Sequence, residues 1–277
     1  MAAPELVRGT SHGVTLLGDP SRPGGVTLAF MERTGGVSMN AYASLNLGDA
    51  CNDDPRAVRE NRRRALAAIG AEGSVDKLLC PLQVHGDTVV TIASASDVAK
   101  AHEVARAGAD AVVCAVSDIP VLICVADCIP MALVANGAFA LVHSGWRGAL
   151  ARIGAKALGV LTEVASCNAG DVRVYIGPHI GAKDYQVSDD LRQSFVDEFG
   201  TQVLEGTSNL NLGAAVIQPL VSAGVDPNLI AICTDSTASN TDRFFSYRAQ
   251  NGNCGRHGVM ACINSNPASQ AVEWQRD

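Results

Sequence analysis

The sequence predicts a mixed α/β fold of the α+β kind, with a central mixed β-sheet core flanked by helices. Three observations carry that expectation. Short apolar runs of strand length outnumber helical patterns and crowd the middle of the chain. The helical patterns fall between some of them. No Pro/Gly/Ser-rich linker, charge block or internal repeat divides the chain, so residues 1–277 read as a single layered domain. A chain of this length buries roughly three quarters of the surface its unfolded form exposes, and needs neither disulfides nor a structural metal to fold. Any metal therefore has a functional reason.

In chain order, apolar runs predict strands at 25–29, 88–92, 111–114, 120–125, 131–134, 138–143, 172–176 and 230–233. The first helix begins at Asp54-Pro55, an N-cap followed by a proline at the first helical position. Its stripe of Val58, Ala65, Leu66 and Ile69 ends at Gly70. A second runs from about Ala149 and buries Leu150, Ile153, Ala157, Leu161 and Val164. Ser188 caps a third, whose Asp189 and Asp190 suit the positive end of the helix dipole and which Gly200 stops. The fourth, at 212–223, contains Pro219, which removes a backbone donor and is expected to kink or shorten it.

A net charge of −7 and a pI near 5.3 argue against a nucleic-acid or anionic-membrane partner, because both are bound through concentrated Lys and Arg. Aromatic residues are only 4%, too few for the stacking platforms of a single-strand binder. The one basic run, Arg62-Arg63-Arg64, is diluted by acids and reads as a solvated helix face. The longest apolar run, 119–126, ends at Asp127 and is far short of a membrane span. The opening residues lack a charged region followed by a long apolar one, and the nine cysteines are odd in number with no C-x-x-C pair. Reduced thiols in the cytoplasm, and a small-molecule partner, are the expectation.

Candidate chemistry sits where strands give way to loops. Gln83-Val84-His85-Gly86 precedes one strand, Ala126-Asp127-Cys128 follows another, and His143-Ser144-Gly145-Trp146-Arg147-Gly148 ends a third. His85, Cys128 and His143 together make a good zinc set. Three protein ligands leave a fourth position for water or substrate, the pattern of a catalytic site. Asp127, directly after an apolar run, needs hydrogen bonds to be tolerated there and is placed to orient a ligand imidazole. The Gly145-x-x-Gly148 turn offers backbone donors to an anion, or is simply a tight turn; Gly177-Pro178 reads as a turn. Cys114 and Cys124 read as packed thiols, and His12 and His102 as solvent-facing.

Taken together these motifs resemble the laccase-domain or multicopper polyphenol oxidase family, also called peptidoglycan editing factor and purine nucleoside phosphorylase. The resemblance spans about 33–263. It rests on Arg33-Thr34-Gly35-Gly36-Val37-Ser38, then Ala43-Ser44-Leu45-Asn46-Leu47-Gly48 with Asp53-Asp54-Pro55 and Glu60-Asn61-Arg62, then QVHG, ADCIP, HSGWRG, IGPHIG with Tyr185 and Val187, and Arg243-Phe244-Phe245-Ser246-Tyr247-Arg248. It implies a zinc site on His85, Cys128 and His143, with copper as the alternative metal, and a fold similar to the α-β-β-α sandwich of a deamidating bacterial toxin. Arg33, Asn46, Arg147 and Arg248, each inside a motif, become candidate contacts to substrate. The chain departs from the family at Lys183-Asp184-Tyr185-Gln186-Val187, at Cys254-Gly255-Arg256, and at Glu32, Asn211 and Pro219.

The resemblance implies phosphorolysis of adenosine, inosine, guanosine or methylthioadenosine, together with adenosine deamination, with purine nucleoside and phosphate as partners. A copper-dependent polyphenol oxidase is the older description, but a trinuclear copper cluster is built from repeated His-x-His pairs, and none of the six histidines forms one. A Cys128 thiolate with His143 as its base, cleaving amides of peptidoglycan precursors, is a competing enzyme reading. A metal-stabilised protein that binds nucleoside without turnover is the non-enzyme reading.

Overall fold

In the computed structural model, which describes residues 3–265 and 272–275, the chain folds as two stacked six-stranded sheets with helices outside both. The elements are β1 (Val7–Ser11), β2 (Val14–Gly18), β3 (Val26–Met31), α1 (Pro55–Ala68), β4 (Val89–Ile92), α2 (Val98–Ala107), β5 (Ala111–Cys114), β6 (Val121–Val125), β7 (Ile129–Ala135) and β8 (Ala138–Ser144). They continue with α3 (Trp146–Leu150), α4 (Ile153–Ala165), β9 (Arg173–Ile176), α5 (Asp189–Phe199), β10 (Leu204–Glu205), β11 (Asn209–Leu210), α6 (Leu212–Ser222), β12 (Ile230–Ile232), β13 (His257–Ile263) and β14 (Glu273–Trp274).

One sheet, in the order β14-β1-β2-β3-β13-β6, is antiparallel throughout; the other, β12-β9-β7-β8-β5-β4, is mixed, with parallel pairs at its two edges. The period-2 alternation of a strand explains the layering. Along β7, Met131 and Leu133 point to the helical side with Ile153, Leu161 and Leu220, whereas Ala132 and Val134 point to the opposite sheet and meet Leu28, Phe30 and Val259. Both faces of β7 and β8 are covered, so these strands read as continuous apolar runs. The far face of the antiparallel sheet packs Leu16, Met31 and Met260 against Ala65 and Leu66 of α1 and Ile69 just after it. The result is the mixed α/β sandwich, helix–sheet–sheet–helix.

Local chemistry fixes the helix ends. Asp54 accepts from the Arg56 amide at 2.8 Å to start α1, Ser188 accepts from the Leu191 amide to start α5, and Asn211 caps α6 through the Ala214 amide. The helix expected from Ala149 is split into α3 and α4, because Arg152 adopts a left-handed conformation (φ 54°) between them. Pro219 neither ends nor shortens α6, which continues to Ser222. Glu32 is fully buried, and Arg8 and Arg243 both donate to it, which satisfies a carboxylate otherwise costly in that position. At the end of β9, Gly177 lets the Phe30 ring of the other sheet lie against the backbone: a Cβ there would stand 2.1 Å from Phe30 Cδ1.

Candidate metal centre and its cavity

Three chain crossings bring His85, Cys128 and His143 to one end of the mixed sheet. His143 is the penultimate residue of β8, Cys128 sits in the tight β6–β7 connection just before Ile129, and His85 lies in the loop before β4 with a left-handed backbone (φ 58°). Their donor atoms all fall within 4.8 Å of one another, with His85 Nε2 3.7 Å from Cys128 Sγ. The two imidazoles meet edge to face, centroids 4.7 Å apart. His143 is buried, Cys128 half-buried and His85 exposed, so the cluster is anchored on one side and open on the other. Gly145 makes this convergence possible. A Cβ at that position would lie 2.8 Å from His85 Cδ2 and 3.1 Å from Cys128 Sγ.

Asp110, just before β5 and fully buried, organises the cluster. Its Oδ1 accepts from His143 Nδ1 at 2.7 Å and from the His85 amide at 3.0 Å, while its Oδ2 accepts from the Gly86 and Val84 amides at 2.7 and 3.3 Å. One carboxylate therefore fixes the ring of one histidine and the backbone of the other. Burial opposes its charge, but the hydrogen bonds from His143 and the amides outweigh that and hold the carboxyl below its ordinary range. With Nδ1 of His143 committed to Asp110, Nε2 is left as the ligating atom. Burial also disfavours the Cys128 thiolate, yet hydrogen bonds from His143 and His85 prevail and bring the thiol down to about 6. His143 is pushed up to about 9, because Asp110 and Cys128 outweigh its own desolvation. Two imidazoles and one thiolate on a preorganised frame fit a single metal ion.

Asp127 does not orient an imidazole. Its Oδ1 accepts from Thr237 Oγ1 at 2.6 Å and its Oδ2 from the Arg248 amide at 2.7 Å, so it ties the β6–β7 turn to the loop bearing Arg248. The same sequence signal, a carboxylate bounding an apolar strand, marks Asp110 beside Ala111–Cys114, and there it was missed.

The cluster opens into a cavity of about 860 Å³, lined at its polar points by Arg106, Arg248 and Arg256 and by the rings of Tyr185 and Tyr247. Of the candidate substrate contacts only Arg248 lines it; its guanidinium stands over Tyr185 at 5.5 Å. Arg33 is half-buried elsewhere, donating to the Ala43 and Thr241 carbonyls at 2.8 and 2.7 Å and stacked over Phe245. Asn46 is fully buried and pairs with Gly48, Asp53 and the Arg256 amide, so it positions Arg256 without facing the cavity. Arg147 is exposed and lies over its neighbour Trp146 at 4.2 Å. Arg106 and Arg256 line the cavity beside Arg248, whereas Arg33 and Arg147 do not. Arg256 had been singled out only as part of an atypical Cys-Gly-Arg, and Arg106 sits in α2, which the sequence reading did not anticipate.

A family model described as multi-copper polyphenol oxidoreductase laccase matches residues 27–264. The chain belongs to that family. Within the laccase-type family, a protein named purine nucleoside phosphorylase from Deinococcus radiodurans is 34% identical over 254 residues, covering 89% of this chain and 92% of the relative. Another of that name from Corynebacterium glutamicum is 33% identical over 87% of this chain and 96% of its own length. The crystal structure of YlmD from Geobacillus stearothermophilus superposes with a TM-score of 0.81 at 27% identity, over 95% of this chain and all of that one (100%). Among the described residues, His85, Cys128 and His143 are the one group of three His, Cys, Asp or Glu side chains close enough to hold a metal, and no helix is long and apolar enough to cross a membrane.

Proposed function

We propose that this chain is a zinc-dependent purine nucleoside phosphorylase, with His85, Cys128 and His143 as the zinc ligands. The observation that carries the reading is the union, in one cavity, of an open His/Cys/His cluster with guanidinium groups and aromatic faces. Its volume, about 860 Å³, lies in the range of about 300–1,000 Å³ typical of small-molecule sites. The relatives named for that activity support the same choice.

In phosphorolysis a phosphate oxygen bonds to C1′ of the ribose as the C1′–N9 bond breaks, and the electron pair leaves with the base, which is then protonated. Arg248 and Arg256 hold the phosphate, since planar guanidinium groups offer paired donors to its oxygens. Asp127 and Asn46 fix the backbone of these two arginines, through hydrogen bonds of 2.7 and 2.8 Å. Tyr185 and Tyr247 supply faces for a flat base. Bound at the cluster, zinc would act as a Lewis acid beside the reacting groups.

Adenosine deamination asks for a free carboxylate beside the ligands. Among the described residues the cavity carboxylates are Asp49, ion-paired with Arg62 at 3.2 Å, and Asp127, whose two oxygens are both engaged, which favours phosphorolysis. Copper in the same three ligands makes no trinuclear cluster, which disfavours the polyphenol oxidase reading. The test is chromatography of adenosine and inosine reactions with and without phosphate. Free base and ribose 1-phosphate, formed only with phosphate, are expected; no base release from any purine nucleoside refutes the reading.

One observation favours a second reading. Cys128, His143 and Asp110 line up as thiolate, imidazole and buried carboxylate, the order of a cysteine hydrolase. Amide cleavage of a muropeptide precursor that persists in metal-stripped protein, and stops on alkylation of Cys128, would establish it in place of the first.

A further inference from the structure

Two thiols in the cavity wall, Cys80 and Cys124, take no part in the reaction above. Leu79 pairs in parallel with Val121, and the Gln83 side chain continues that pairing by donating to the Cys124 carbonyl at 2.7 Å and accepting from the Cys124 amide at 2.9 Å. The segment leading to His85 is thereby stitched to the edge of β6. Both cysteines pack, half-buried, against the cluster beneath α1.

Behind them stands Arg62, expected on a solvated helix face but largely buried here, its side chain only 18% exposed. Its Nη2 lies 3.7 Å from Cys80 Sγ, and its Nε donates at 2.8 Å to the Leu47 carbonyl, which is itself 3.5 Å from Cys124 Sγ. One guanidinium thus backs the pair. The hydrogen bond from Cys124 and the charge of Arg62 outweigh burial and draw the Cys80 thiol down, whereas Cys124, the donor, is held well up.

We propose that Cys80 and Cys124 form a second reactive site in this protein, a dithiol that exchanges with small disulfides of the glutathione class. The Cys80 thiolate attacks one sulfur of the disulfide, forming a mixed disulfide and releasing one small thiolate. Cys124 then loses its proton and attacks the Cys80 sulfur, forming the Cys80–Cys124 bond and releasing the second small thiolate. Two protein thiols are oxidised by two electrons and one small disulfide is reduced to two thiols. The cross-link ties the segment before His85 to the strand before Cys128, and so fixes the cavity wall between two of the proposed ligands. A small dithiol reverses it.

The experiment is peptide mapping by mass spectrometry of the zinc-loaded protein after timed exposure to oxidised glutathione. Cys167 serves as the internal reference, because it is also half-buried but burial and Asp171 push its thiol up. In the wild type a Cys80–Cys124 linked peptide is expected, appearing before any modification of Cys167. In Cys124→Ser a glutathionyl group is expected to accumulate on Cys80; in Cys80→Ser, Cys124 is expected to stay unmodified. The proposal is overturned if the wild type yields no Cys80–Cys124 link, if it retains a stable glutathionyl group on Cys80, or if Cys167 is modified first. The wild-type map alone decides, so a variant that folds poorly leaves the test intact.

Discussion

Replacing Asp110 by Asn tests the claim that one carboxylate positions two of the three proposed ligands. Asp110 accepts four hydrogen bonds, one from His143 Nδ1 and three from the amides of residues 84–86. Asn keeps one acceptor oxygen and turns an NH₂ toward donors on the other side. At least one amide, or the imidazole, is then left facing a donor inside a buried site. A hydrogen bond to a charged group contributes about 1.5–3 kcal/mol, and a stranded buried donor costs about 1–3 kcal/mol. A destabilisation of about 3 kcal/mol is therefore expected. The His143 tautomer loses its anchor as well, and loss of such a partner weakens metal binding by about 10- to 100-fold. Competition against a chelator of known zinc affinity reads the second effect, and urea unfolding of the metal-free protein reads the first. Asp127→Asn is the matched control: it perturbs the Arg248 loop and is expected to leave zinc affinity within about threefold of wild type, well short of the loss at Asp110. If Asp127→Asn weakens zinc as much as Asp110→Asn, or Asp110→Asn changes neither quantity, the positioning argument fails.

Arg248→Lys and Arg256→Lys are each expected to raise the KM for phosphate about tenfold or more, by losing a paired donor, with zinc content unchanged. Arg147→Lys is expected to leave that KM at the wild-type value, so steady-state kinetics on the three variants separates the cavity arginines from the exposed one. Gly145→Ala puts a methyl 2.8 Å from His85 Cδ2 and 3.1 Å from Cys128 Sγ, and metal analysis of the purified variant is expected to show substoichiometric zinc. Full occupancy there would contradict the close packing of the cluster. His257, fully buried, is held down to about 3 by desolvation, which a hydrogen bond with the Pro178 backbone only partly offsets. The unfolded chain takes up that proton near pH 6.5 and the folded one does not, so this stability is present above about pH 6.5 and is lost as pH falls toward about 3. Between pH 7 and 5 the loss from this residue is about 2 kcal/mol, so urea unfolding of His257→Phe should show a pH dependence flatter by that amount. An unchanged slope would rule the residue out as its source.

The sandwich was legible wherever a strand is buried on both faces. Along β7 and β8 the apolar side chains meet either the helices or the opposite sheet, and such strands announce themselves as near-continuous apolar runs. β1 and β2 escaped because half-buried positions interrupt their apolar pattern, and β13 because its run opens on His257, which packs against the Phe244 and Phe245 rings. The break between α3 and α4 depends on a left-handed Arg152, and Arg is not a residue whose sequence context marks that conformation. Pro219 does not end α6, whose run continues through the buried Leu220 to Ser222.

The site divides along the same line. His85, Cys128 and His143 were read together from compact motifs that precede, follow or end a strand, and the sheet order brings those motifs to a common edge. What they need in order to act is not local in sequence. Asp110 reaches residues 84–86 and 143 only because the strand that follows it, β5, lies between β4 and β8, a neighbourhood created by the sheet order. Arg62 reaches Cys80 only because α1 lies against the outer face of the antiparallel sheet. In both cases a charge that looks like helix-face or strand-end decoration in one dimension becomes, once buried, the group that sets the state of a thiol or an imidazole. Low dielectric makes the difference: a guanidinium or carboxylate in water perturbs its neighbours little, whereas the same group taken out of water must be matched by what surrounds it, and so dictates the protonation of what it touches. The charges to weigh in a sequence of this kind are therefore those adjoining apolar runs, because only those are candidates for burial.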